Sequence, residues 1–203
     1  MYADSAMGRS AVGFAGEMAL PPIDAIDGDS APLLARPFFA NGDPGPIVAI
    51  LAHVPEALEV AMPFFAMVLS PSALTLRTKE IAILRTSSRA SCRYCVDAHS
   101  VAALDAGLSD QEVRALRGWA STDDAFAGFA ERALISWCDA LVDVGPVAEQ
   151  TRDVLRAAWA DHEVVELTLL VGTTLLLNRF CTALELPTSP SVFERLATAG
   201  LVS

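Results

Sequence analysis

Between Pro46 and the C-terminus the chain has no convincing run in which apolar and polar residues alternate with a period of two, the mark of a half-buried strand. Apolar residues recur instead at helical spacing, in segments opened by capping residues and closed by glycine. That pattern confines the chain to packed helices. Composition points the same way: aromatics are 7% of the chain within an apolar fraction of 53%, so Ala, Leu and Val supply the hydrophobic surface. The expected fold class is all-α, with helices near residues 46–52, 55–69, 75–89, 92–106, 109–119, 124–143, 146–159, 162–184 and 190–199. Gly107 is expected to close one helix, and Ser109 with Glu112 has the capping-box spacing that opens the next. Gly145 followed by Pro146 repeats that punctuation, the proline falling in a first helical turn.

Residues 1–46 hold six of the twelve prolines and six of the twelve glycines, which breaks any helical run and marks an N-terminal arm. Residues 47–203 then form one helical domain, long enough to bury about 70% of its unfolded surface. The apolar excess in so small a chain predicts that part of it is covered by further subunits, in a homo-oligomer. A net charge of −11 repels phosphate backbones and anionic lipid, which argues against nucleic-acid and membrane-surface partners. The longest apolar run, Leu167 to Leu177, falls far short of the ~20 residues that cross a bilayer and reads as a buried helix. The first residues lack the apolar core of a secretory signal, so a cytoplasmic location is expected, where the four cysteines stay reduced by default.

One stretch carries chemistry: Ser91-Cys-Arg-Tyr-Cys-Val-Asp-Ala-His-Ser100. At about 100° per helical residue, Cys95 lies about 60° from Cys92 and His99 between them, so two thiols and an imidazole share one face. Cys95 and His99 are also i, i+4 neighbours, which sets a base beside a nucleophile. Because both thiols fall in a first helical turn, the free N–H groups there favour their thiolates. On the preceding helix Glu80 falls inside an arc formed by Leu76, Ile81, Ile83 and Leu84, opposite Thr78, Lys79 and Arg85. A carboxylate in such an arc must be paired, with Arg77 as one candidate partner, or primed for proton transfer.

Glu80, eleven residues, Cys92-Arg-Tyr-Cys95, three residues and His99 resemble the signature of the alkylhydroperoxidase D-like group within the carboxymuconolactone decarboxylase family. The Leu74-to-Glu80 lead-in and the Ala103…Gly107-Leu-Ser109 ending are similar as well. The resemblance implies an all-helical fold, assembly into dimers, trimers or hexamers, and reduction of hydroperoxides by the CxxC pair without a cofactor. It implies that Cys95 attacks the peroxide, Cys92 resolves the sulfenic acid as a disulfide and meets an external dithiol reductant, and His99 with Glu80 relays the proton. Where some members carry His, this chain has Tyr94.

Other readings compete. Zinc could take Cys92, Cys95, His99 and Glu80, although the chain lacks the second distant Cys or His pair of most structural sites. A c-type haem needs His directly after the second cysteine, where Val96 stands. A lyase using His and Glu alone, and a non-catalytic scaffold whose thiols only sense oxidants, are the functional alternatives. Cys138 and Cys181 stand alone in apolar stretches and are expected to be inert small hydrophobes. Glu166 and Arg179 are ion-pair candidates, His53 and His162 surface or capping residues, and the three tryptophans core or interface aromatics.

Overall fold

The computed structural model describes residues 23–143 and 145–202, so expectations for the first 22 residues of the arm lie outside the described residues. A 3-10 turn at Arg36–Phe39 precedes α1 (Pro46–Leu51), α2 (Pro55–Leu69), α3 (Leu76–Arg89), α4 (Arg93–Asp105), α5 (Asp110–Leu116), α6 (Thr122–Ala125), α7 (Phe129–Val142), α8 (Glu149–Ala158), α9 (Asp161–Ala183) and α10 (Pro190–Thr198). Among the described residues there is no strand, and the all-α expectation holds. Gly107 closes α4 at φ 89°, and Ser109 with Glu112 forms the expected capping box on α5.

Three boundaries move. The helix expected over 124–143 is broken where Phe126 and Gly128 adopt extended backbone, leaving α6 and α7 as separate pieces. The helix expected to start at Pro146 starts at Glu149, because Ala148 and not Gly145 is its N-cap. The helix expected to reach residue 119 stops at Leu116, where Gly118 at φ 81° lets the Trp119 N–H turn back to the Arg114 carbonyl at 2.8 Å.

Helix α3 is the axis of the fold and packs against α4, α7 and α9. Lys79, Ile81, Ala82, Ile83, Leu84, Thr86 and Ser87 are all buried, which leaves little of a solvent face. An arc drawn for a one-sided helix therefore misplaces two residues. Lys79, expected on the polar side, is wholly buried; its ammonium donates to the Val68 carbonyl at 2.7 Å and to that of Ser70, and meets Glu166 Oε1 of α9 at 2.9 Å. Leu76, expected on the apolar arc, begins the helix and is exposed. The Lys79 contacts tie off the last carbonyls of α2, which have no partner within that helix.

The described part of the arm lies against α1 and α2. Ile26, Phe38 and Phe39 pack on a small cluster of Ala35, Val48, Ala52 and Leu58, and the Ile26 N–H donates to the Ala49 carbonyl at 3.2 Å. The Leu167 to Leu177 run falls within α9, whose 23 residues are long and apolar enough by composition to span a membrane. One side of α9 enters the core through Leu167, Leu170, Val171 and Leu177. The other side exposes Val165, Leu169 and Leu176, which line one apolar groove with Phe64 of α2.

Candidate active site

The C-terminal turn of α3 delivers the first cysteine. Ser91 takes the left-handed conformation at φ 57°, a position that usually selects glycine, so the Ser91 N–H reaches the Ser88 carbonyl and the Cys92 N–H the Ser87 carbonyl, both at 3.1 Å. Cys92 thereby leaves α3 and becomes the N-cap of α4, with Cys95 inside the first turn. The two Sγ atoms lie 2.9 Å apart, and both residues are buried at 1% and 5% exposure. Spacing alone predicts this convergence.

One turn further along α4, His99 Nδ1 hydrogen-bonds Glu80 Oε2 of α3 at 2.8 Å. Glu80 pairs with His99 and not with Arg77, which instead binds Glu112 and, at 2.9 Å, Glu131. Holding Nδ1 against a carboxylate fixes the imidazole and leaves Nε2 as its free nitrogen.

Cys181 contradicts its expected isolation. The last turn of α9 brings it to Cys92 and Cys95, and the three sulfurs lie within 4.8 Å of one another. Its approach mirrors that of Cys92: Glu185 adopts φ 52°, and the Leu186 N–H closes on the Cys181 carbonyl at 3.0 Å. Cys138 does stand alone in the main core, where burial pushes its thiol up to about 12. The four groups weighed for zinc do not assemble. Among the described residues, the one set of three ligating groups this close is the three thiols, with His99 and Glu80 engaged with each other.

The thiols divide two cavities. A small one of about 100 Å³ is lined by Cys95, His99, Tyr94, Ser87 and Asn178 together with apolar residues such as Ile83 and Leu177. A larger cleft of about 460 Å³ is lined by Cys92, Cys181, Arg93, Glu185, Thr188 and Phe193. Thr188 is held to the α4 helix by donating to Asp97 Oδ2 at 3.0 Å, which fixes the far wall of that cleft.

Charge within the trio is uneven. Hydrogen bonds from Cys181 and Cys95 hold the Cys92 thiol far below its ordinary range. The same contacts, with burial, push Cys95 upward, and Cys181 is raised to about 12 chiefly by Cys92. The three contacts thus favour the charge on Cys92 over Cys95 and Cys181. Tyr94 is pushed up to about 12, first by its burial, and stays a neutral phenol.

Asn178 is a further polar group of the small cavity. Its Oδ1 accepts from Ser87 at 3.0 Å, while its Nδ2 has no partner although the residue is buried. The sequence marks it only as a polar residue beside Arg179. Thr174, Asn178 and Cys181 recur at i, i+4 and i+7 in an otherwise apolar helix, and that stripe is the signal that faces the site.

The arrangement is a dithiol able to give up two electrons, with an oriented imidazole beside it. No functionally curated protein matches the chain in sequence. Among solved structures it is similar to a protein of unknown function from Agrobacterium tumefaciens suggested to be the antioxidant defence protein AhpD, at 27% identity and TM-score 0.63 over 69% of this chain and 95% of that one. It is also similar to an alkylhydroperoxidase AhpD core protein, peroxidase-related and uncharacterised, from Ralstonia eutropha, at 18% identity and TM-score 0.71 over 86% and 96% of the two chains. A third likeness, at 19% identity and TM-score 0.62 over 75% and 81%, is to the debrominase Bmp8 carrying C82A and bound to 2,3,4-tribromopyrrole. The family model of the carboxymuconolactone decarboxylase family matches residues 55–137, which contain Glu80, Cys92, Cys95 and His99. Through that segment, the chain is similar to the carboxymuconolactone decarboxylase family.

Proposed function

We propose that the protein is a thiol-dependent hydroperoxide reductase. The observation that carries this reading is the small cavity lined by both Cys95 and a carboxylate-oriented His99, with the Cys92 sulfur 2.9 Å from that of Cys95. His99 takes the Cys95 proton through its free nitrogen. The Cys95 thiolate attacks the outer peroxide oxygen, the O–O bond breaks, and the alkoxide leaves with the proton from His99 as an alcohol. Asn178 Nδ2, unpaired in the same cavity, donates to the peroxide oxygens. The Cys92 thiolate attacks the Cys95 sulfenic acid; the S–S bond forms as the S–O bond breaks, and the leaving hydroxide takes a proton from solvent as water. A dithiol reductant entering the larger cleft returns two electrons.

The substrate class is a small hydroperoxide, since about 100 Å³ lined largely by apolar atoms suits a short organic peroxide. The protein works in the cytoplasm as a homo-oligomer, a second copy covering the charge-free α2/α9 face that a chain of net charge −11 otherwise leaves to water. Titration of free thiols before and after one equivalent of ethyl hydroperoxide is the test. Two thiols per chain should disappear, and neither Cys92→Ser nor Cys95→Ser should retain turnover. Peroxide consumption unchanged in Cys95→Ser would overturn the assignment of the attacking sulfur. The family's name and the His99–Glu80 pair support a second reading, a lyase that needs only proton transfer. Lyase activity that survives Cys92→Ser/Cys95→Ser would establish it instead.

A further inference from the structure

Cys181 belongs to the trio of sulfurs yet takes no part in the cycle above. It lines the larger cleft with Cys92, while Cys95 lines the smaller cavity. Cys92 is the shared member. The geometry points to a second disulfide, Cys92–Cys181, as the form in which the oxidised protein meets its reductant. The idea rests on the peroxidase reading for the origin of the first disulfide, although the exchange itself needs only a disulfide at Cys92.

The step is an internal thiol–disulfide exchange. Cys181 Sγ attacks Cys92 Sγ of the Cys92–Cys95 disulfide, the new S–S bond forms as the old one breaks, and Cys95 leaves. The proton of the Cys181 thiol passes to Cys95, so no outside oxidant, reductant or base is consumed. From within 4.8 Å, the attacking sulfur must close to about 2.05 Å, a movement within reach of a side-chain rotation. Oxidation also frees the attacker. What raises the Cys181 thiol first is its contact with Cys92, and a Cys92 sulfur in a disulfide carries no charge.

The consequence is spatial. A disulfide that includes Cys95 has one sulfur beside a cavity of only about 100 Å³, whereas Cys92 and Cys181 both line the cleft of about 460 Å³, which has more room for a reductant's sulfur. The exchange carries oxidising equivalents from the peroxide side to the reductant side and returns Cys95 to its thiol.

Trypsin cutting after Arg93 separates Cys92 from Cys95, which makes the pairings distinguishable by mass. The full-length protein is oxidised with one equivalent of diamide, a thiol oxidant that bypasses peroxide chemistry, then alkylated in acid and digested without reductant. The exchange predicts peptide 90–93 joined to 180–195 alongside 90–93 joined to 94–114. Wild-type protein in which 90–93 pairs only with 94–114 overturns the relay, and needs no variant to fold. In Cys95→Ser, checked for native circular dichroism, Cys92–Cys181 should become the sole intramolecular disulfide; in Cys181→Ser the 180–195 linkage should vanish, and re-reduction by a protein dithiol such as thioredoxin should slow. Equal re-reduction rates with and without Cys181 also overturn it. A parallel arm with ethyl hydroperoxide separates the two ideas, because thiols oxidised by diamide but untouched by peroxide would remove the peroxidase reading and leave the exchange standing.

Discussion

Replacing Lys79 by methionine tests whether a buried ammonium holds the end of α2 to α9. Methionine fills nearly the same volume, so no cavity confuses the result. The wild-type ammonium bonds two carbonyls and Glu166 with no exposure to water. Its loss strands the carbonyl of buried Val68 at about 1–3 kcal/mol. The Ser70 residue is exposed, so its carbonyl recovers water and adds little. Glu166 loses its cation; burial disfavours its charge, while hydrogen bonds from Lys79 and Ser72 hold the carboxyl below its usual range. Its side chain is 23% exposed, which limits that loss to about 1 kcal/mol. The sum is about 3 kcal/mol, or roughly 10 °C in Tm for a domain of this size. Urea unfolding followed at 222 nm should show a lower midpoint at unchanged m-value. The same substitution in a Glu166→Gln background should cost less, since one contact is already gone. A destabilisation below about 1 kcal/mol would mean that the ammonium's bonds merely offset its burial, and that α2 is held by packing alone.

Glu80→Gln removes the carboxylate that orients His99 and should lower the peroxidase rate by about 10²-fold or more while the thiols still oxidise stoichiometrically with diamide; steady-state peroxide consumption checks it, and an unchanged rate removes the proton relay. Asn178→Leu should raise KM for hydroperoxide and leave the alkylation rate of Cys92 unaltered, because Asn178 lines the Cys95 cavity and not the cleft beside Cys92. Cys92 is held below the ordinary thiol range, so its charge persists as pH falls from about 8.5, where free thiols protonate. At pH 6, iodoacetamide should therefore label peptide 90–93 before 94–114 or 180–195, and mass mapping that finds 94–114 labelled first would reverse the assignment of the thiolate. Leu169→Lys on the exposed side of α9 should lower the assembled fraction in light scattering without changing helicity.

What could be read from the chain was what is local in it. Cys92, Cys95 and His99 fall on one helix within two turns, so spacing fixes their face without knowledge of any neighbour. Glu80 required one step more, a carboxylate out of place on a wheel, and the family signature supplied the helix it faces. The wheel failed for Lys79 because it assumes one dry side, whereas α3 is enclosed by α4, α7 and α9 and the Lys79 ammonium is satisfied by the end of α2 and by Glu166 of α9. The break at Gly128 and the late start of α8 were hidden for a different reason. Their boundaries depend on which backbone groups tertiary packing leaves free, and propensity says little about that.

Cys181 shows the deeper limit. A single cysteine in an apolar helix is most simply a small hydrophobe, and for Cys138 that reading agrees with the structure. The two differ only in what lies across from them. Cys138 faces the main core, while Cys181 sits where α9 ends and the chain turns through Glu185, opposite the turn at Ser91 that starts α4. Both turns hold a non-glycine residue at positive φ, a conformation that costs about 1–2 kcal/mol relative to the right-handed one. Glycine would form either turn with less strain. Two strained turns on facing walls of one cleft, each presenting a cysteine, are difficult to attribute to packing alone and agree with a site in which the position of three sulfurs matters more than the stability of the turns that carry them.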